Sequence, residues 1–355
     1  MPCETEGAMP LFLAYPTSLE VLRLFRAGFA DNGVPVDTEA RSPFPGSPSL
    51  FEHIPSNETP HDGDVECLLR ASHPLWDEAL AKPLHLYAGS QKCRGQSRLK
   101  RIVTCTTKFP EGAFCHLDDN LWAPNPELCF VEAGKHLSFY EHALLGMELC
   151  GCYVIYSSAR RGFLRTPPAT TRARLLMACD GLSRCHGASQ ARSVAQVILD
   201  QSASPRESAL ALLLFLPKRL GGYEIPRGIL NKRLSSTAIE DGRDIIPDIL
   251  WSDERTTIEY EGVLDHDGES NLPRDARRKN RLIKFGYKVI SVTNSQLQSI
   301  RDTDEIAWQT CKHLGLRWRK PRGSYDWRER QTQLRKALAL RADQTDFDGW
   351  DPVPC

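Results

Sequence analysis

The chain has no surplus charge: 45 Lys and Arg balance 45 Asp and Glu, for a formal net charge of +0 at pH 7. Without a global field, any attraction to nucleic acid has to come from local basic patches. Long apolar runs are missing too. The stretch Met9–Tyr15 is short, follows acidic residues and meets Pro16, which suits neither a signal peptide nor a membrane span. The chain is therefore expected to be cytoplasmic, with no membrane partner. Its 12 cysteines show no Cys-x-x-Cys spacing. Cys150 and Cys152 stand too close for a zinc knuckle, and Cys179, Cys185 and His186 have no clear fourth ligand. Reduced, scattered thiols are expected, and no zinc site. Internal repeats, a glycine-rich phosphate loop and a serine-nucleophile elbow are also absent.

What remains is an ordinary globular composition, 41% hydrophobic and 25% charged, on a length of 355 residues that suits two or three domains. Residues 1–80 mix apolar clusters with a turn-rich stretch from Arg41 to Asp64. Residues 81–165 read as α/β, with strands at Pro83–Tyr87 and Lys100–Thr106 and helices at Glu127–His136 and Glu141–Leu149. Residues 166–202 carry helical apolar spacing and read as a linker. The signal sharpens over 203–315. Ser204-Pro205-Arg206-Glu207 is a capping-box sequence with proline at the first helical position. After it come strands Ile245–Trp251 and Thr256–Gly262, a helix over Pro273–Phe285 closed by Gly286, a strand Tyr287–Thr293 and a helix Asp304–Leu314. Helix, strands, helix, strand, helix implies an α/β fold with a central mixed sheet flanked by helices, preceded by an N-terminal α/β or α+β domain.

Within that order, carboxylates gather. Asp248 lies on the first strand, and Glu259 and Glu261 alternate on the second, so the two glutamates share a face while Ile258 and Tyr260 take the other. If the strands are hairpin neighbours, three acids converge. Like charges repel unless a proton or divalent cation lies between them, and oxygen ligands suit magnesium. An exposed, solvated acidic face is the plainer account. Glu207 could be explained by its capping box alone. Arg274, Arg278, Arg281 and Lys284 recur at helical spacing; such a stripe is usually solvated, but beside a metal site it could grip a phosphate backbone.

These residues carry a resemblance. Pro247-Asp248 followed by Ile258-Glu259-Tyr260-Glu261, then His266, Arg274-Asp275-Ala276-Arg277-Arg278 and Gly286-Tyr287-Lys288-Val289-Ile290 resembles the PD-(D/E)XK nuclease superfamily. It is most similar to the branch related to very short patch repair endonucleases. The resemblance covers about residues 200–315 and implies a restriction-endonuclease-like domain that cleaves DNA with Mg2+ or Mn2+. It implies Asp248 and Glu259 as metal ligands, with Glu207 as an additional one. One position departs from the pattern: Glu261 stands where a lysine is expected. A carboxylate cannot stabilise transition-state charge as that lysine would, so His266 and Lys284 are the expected substitutes and Glu261 an extra ligand or base.

Beyond the domain, residues 316–355 begin with Arg317-Trp318-Arg319-Lys320, which interleaves cations with aromatics. Arg319 and Lys320 could bind phosphates while tryptophans stack bases, or the tryptophans could simply pack onto the main domain. Upstream, Lys82–Leu86, Leu121–Phe130 and Glu141–Leu149 are faintly similar to abortive-infection-type antitoxin proteins. That similarity implies a role for residues 1–200 in DNA binding or in contact with a partner such as a toxin. Two functions follow: a metal-dependent endonuclease, or a non-catalytic DNA-binding regulator of the antitoxin kind that keeps the nuclease-like fold.

Overall fold

In a computed structural model of the chain, residues 10–31, 80–90, 95–106, 108–118, 121–234, 245–261, 272–318 and 325–340 are described, with 54, 61–63, 65 and 92 in isolation. Of residues 29–31, 272–276 and 325 only the backbone is described. The fold is mixed α/β, and the chain divides into two units, one up to Gln196 and one from Val197.

In the first unit, strand β1 (Leu11–Phe12) runs into helix α1 (Thr17–Asp31), and β2 (Leu84–Ala88) pairs in parallel with β3 (Lys100–Thr104). Strand β4 (Phe114–Asp118) is antiparallel to β5 (Leu121–Pro124), whose other edge takes β1 in parallel. Asn125 then caps α2 (Pro126–Ala133), with proline at the first turn, and Ser138 and Glu141 close both arms of a capping box on α3 (Phe139–Leu149). A short hairpin, β6 (Tyr153–Ile155) with β7 (Phe163–Arg165), leads to α4 (Arg172–Gly181) and α5 (Ala188–Ala195). The Arg172 guanidinium donates to the Ala195 carbonyl at 3.0 Å. These two helices, expected as a linker, thus belong to the first unit.

A large cation lies in the core of this unit. Arg26 is 1% exposed, and its guanidinium donates to the carbonyls of Glu148, Gly151 and Pro167 at 3.2, 3.1 and 3.0 Å. Burial lowers its pKa to about 10, opposed by the nearby Glu148 carboxylate, so it stays charged at neutral pH. Arg23 grips that carboxylate with two hydrogen bonds of 3.0 and 2.7 Å.

The second unit opens with α6 (Pro205–Phe215), capped by Ser204 and buried from Glu207 onward. A helix apolar on every side belongs inside a core. A four-stranded sheet follows in the spatial order β11-β10-β9-β8: β8 (Ile229–Leu230), β9 (Ile249–Trp251), β10 (Thr256–Glu261) and β11 (Lys288–Thr293). The first three pair antiparallel. Between β10 and β11 lies α7 (Leu272–Lys284), the crossover that parallel neighbours require. Gly286 ends that helix at φ +78°, and Tyr287 N–H reaches back to the Leu282 carbonyl at 3.0 Å. This left-handed C-cap is inexpensive only for glycine, and it returns the chain to the sheet so that Ser291 lies opposite Glu259.

One expectation needs correcting here. Asp248 is not inside a strand: β9 begins one residue later, at Ile249. The ladder opens at Pro247, which has no N–H to give, and pairing resumes in the same register at the bridge Leu234–Ile245. For the C-terminal stretch the structure follows the packing alternative. After α8 (Asn294–Gln298) and α9 (Ile300–His313), helix α10 (Tyr325–Ala337) sends Trp327 into the core to donate to the Gly222 carbonyl at 3.0 Å. On the same helix Arg335, 0% exposed, donates to the carbonyls of Leu297 and Gln298 at 3.0 and 2.6 Å. Trp318 packs against Tyr223, with ring centroids 5.8 Å apart. Trp318, Trp327 and Arg335 of this stretch therefore serve packing, whereas Arg317 and Lys336 are exposed. Arg319, Lys320 and the acidic end of the chain lie outside the described residues.

Candidate functional site

The register of the β9–β10 hairpin aligns the site. Ile258 pairs with Ile249, so the next position sets Glu259 opposite Asp248, where directly opposed side chains share a face. Both are buried, at 4% and 8% exposure. Asp248 is held in place from β10 itself: the Tyr260 N–H donates to its Oδ2 at 2.5 Å. Glu261, two residues on from Glu259, shares that face but lies exposed at the strand end.

A third carboxylate approaches from α6. Glu207 completes its helix cap in a modified way. Ser204 Oγ accepts from the Glu207 N–H at 3.2 Å and donates to Glu207 Oε1 at 2.9 Å, while Glu207 Oε2 accepts from the Ala203 N–H at 3.0 Å. Glu207 Oε2 also accepts from the Asn231 side-chain amide at 2.9 Å. Cap and site contact are thus made by one side chain. Burial raises the pKa of Asp248 well above the usual carboxylate value, and the charges of Glu207 and then Glu259 push it the same way. The Tyr260 N–H and Arg278 oppose this. The acids that act on Asp248 are thus Glu207 and Glu259, whereas Glu261, expected as the third member on the strands, is exposed.

Arg278, on the basic stripe read from the sequence, forms an ion pair with Glu259. Lys279 Nζ donates to Ser291 Oγ at 3.0 Å, beside Glu259 on the neighbouring strand. Lys284 is exposed in the last turn of α7, about 9 Å further along the helix axis than Arg278 at 1.5 Å per residue. Arg281 is half-buried on the same helix. His266 and the side chain of Arg274 lie outside the described residues.

Asn231 escaped sequence reasoning altogether. Its N–H donates to the Asp248 carbonyl at 3.1 Å, and its side-chain amide donates to Gln201 O and Glu207 Oε2, both at 2.9 Å. It sits at φ +46°, a left-handed conformation that asparagine tolerates better than most residues. A lone asparagine in a polar connector has no spacing to mark it. Asn231→Ala is expected to cost about 2–3 kcal/mol, combining a left-handed penalty of roughly 1–2 kcal/mol with about 1 kcal/mol of lost hydrogen bonding. Asn231→Gly should recover the backbone part. Urea unfolding of the two variants checks this; equal losses would mean that φ carries no strain.

Among the described residues, no group of three or more His, Cys, Asp or Glu side chains could hold a metal ion. A cation here would have only the facing Asp248 and Glu259 carboxylates, not a three-carboxylate cage, to hold it. Such a pair fits magnesium, which keeps several waters and commonly takes one or two protein carboxylates plus substrate phosphate. Comparison with protein-family models, with curated proteins and with solved structures finds no match to this chain.

Proposed function

We infer that the second unit is a divalent-metal-dependent endonuclease of the restriction-endonuclease-like kind, hydrolysing DNA phosphodiesters. The observation that carries this reading is the facing pair Asp248 and Glu259, buried on adjacent strands and flanked by a helix bearing Arg277, Arg278, Lys279, Arg281 and Lys284. Buried acids that repel one another are expensive unless a cation or a proton is part of the design. The order helix, antiparallel strands, crossover helix, parallel strand supports the same reading.

Asp248 and Glu259 would hold the ion, which when bound neutralises phosphate charge and generates hydroxide at neutral pH. Lys279, held by Ser291 next to Glu259, supplies a cation where Glu261 replaces the expected lysine. Glu261, exposed at the strand end, accepts a proton or orients water. Asn231 and Tyr260 N–H hold Asp248 in place.

A second reading draws on the Arg278–Glu259 ion pair. A guanidinium on a would-be ligand also suits a non-catalytic DNA-binding regulator of the antitoxin kind, partnered by a toxin. Plasmid incubated with the purified chain separates the two. The nuclease reading expects nicking with Mg2+ or Mn2+ that stops with a chelator and falls about 100-fold or more in Glu259→Gln. Cleavage that survives this substitution would sink the site assignment, whereas binding without cleavage at any metal concentration supports the regulator.

A further inference from the structure

The arginine at the centre of the carboxylate pair is placed to exchange partners. Arg278 meets Glu259 with unequal exposure: its side chain is 38% exposed, and that of Glu259 is 6%. The guanidinium thus reaches in from solvent on a long flexible stem, while the carboxylate is fixed on the central strand β10. A guanidinium cannot give up its proton at any working pH. Its charge can leave Glu259 only by moving away.

Two binding events pull on this one contact. A divalent ion on Asp248 and Glu259 needs the carboxylate oxygens that Arg278 now engages, and two cations on one carboxylate repel. A phosphodiester offers Arg278 an equally suited partner, since the guanidinium fork matches phosphate as well as carboxylate. Arg277, Lys279, Arg281 and Lys284 surround it on α7 and bring phosphate to the same helix.

We propose that Arg278 is an exchangeable latch, closed on Glu259 in the free protein and drawn onto a backbone phosphate when nucleic acid binds. Glu259 is thereby released to a divalent cation only in the complex. The latch rests on the metal-site reading above and adds a coupling to it: metal and nucleic acid each tighten the binding of the other by the same factor.

The test is Mn2+ binding by the full chain, followed by the electron paramagnetic resonance signal of free Mn2+. It is run with and without a short phosphorothioate-backboned duplex, and the same duplex with Glu259→Gln protein corrects for ions held by the DNA. Wild type is expected to bind Mn2+ about tenfold more tightly when the duplex is present. Arg278→Gln is expected to bind it tightly without the duplex and to gain nothing from adding it. Arg278→Lys, which keeps a charge at shorter reach, should fall between. The reciprocal measurement needs no variant: Mn2+ should tighten duplex binding by wild type about tenfold, read by fluorescence anisotropy.

Tight Mn2+ binding by wild type alone, abolished in Glu259→Gln, would overturn the latch and leave the metal site standing. Equally weak binding in wild type and Arg278→Gln would also overturn the latch, leaving Arg278 as a fixed structural partner. Binding that Glu259→Gln does not alter would overturn both the latch and the site.

Discussion

Asp248→Asn should silence cleavage and stabilise the protein in the same stroke. The amide keeps the side chain's shape, and its oxygen can still accept the Tyr260 N–H, now at 2.5 Å from Asp248 Oδ2. What it removes is a buried negative charge beside Glu207 and Glu259, the two acids that help burial raise the Asp248 pKa. Losing one electrostatic element of a site typically costs 100- to 1,000-fold in rate, and that range is expected for plasmid nicking. Relief of repulsion is expected to add about 1 kcal/mol of stability, a usual gain when a functional conflict is relaxed.

The pH dependence of that gain follows from the direction of the shift. Because the folded pKa of Asp248 is raised, its contribution to stability is fully present below the unfolded value, about 3.9. It is lost as pH rises through the folded value, since the unfolded chain ionises first. Asparagine cannot ionise. The stability difference between Asp248→Asn and wild type should therefore be smallest below about pH 4 and grow towards neutrality. Thermal unfolding measured across that range checks it. A variant less stable than wild type at pH 7 would show that the carboxylate is needed for the fold itself.

The second large effect is expected far from the carboxylates. Arg26→Met preserves much of the side-chain volume but leaves the carbonyls of Glu148, Gly151 and Pro167 without their shared donor. It also removes a buried positive charge beside Glu148, although Arg23 still grips that carboxylate. Removing one partner of a buried, hydrogen-bonded charge cluster costs about 3–5 kcal/mol, or roughly a 100-fold or greater rise in amide exchange at about 1.4 kcal/mol per tenfold. Hydrogen exchange in α1 and α3 is the direct reading. Unchanged protection there would mean that water replaces the guanidinium at little cost.

Much of the second unit could be read from local pattern. Ser204 with Pro205 starts α6, Gly286 ends α7, and Ser252–Arg255 turns the hairpin. Alternation along β10 put Glu259 and Glu261 on one face and Tyr260 on the other. These signals are short-range: each depends on backbone preferences within a few residues, so the chain states them where they act. Asp248 was legible through its spacing from Glu259, although the Pro247 that marks it also opens the ladder and displaces it from the strand.

The cations were not legible, and the reason is physical. Helical spacing says which side chains share a stripe but not which part of that stripe faces the sheet. Arg274, Arg278, Arg281 and Lys284 looked equivalent, yet helix placement sets Arg278 against Glu259 and leaves Lys284 exposed. The basic and aromatic stretch after residue 316 fitted nucleic-acid binding and packing alike until buried hydrogen bonds placed Trp327 and Arg335 in the core. Asn231 acquired its role only because the chain folds Asp248 and Glu207 onto either side of it. By itself the sequence determined the elements, their order and the carboxylates that face one another, because propensity and alternation are local. The tertiary structure decided which acids are desolvated and which cation meets them, because burial and long-range charge pairing exist only once distant segments pack.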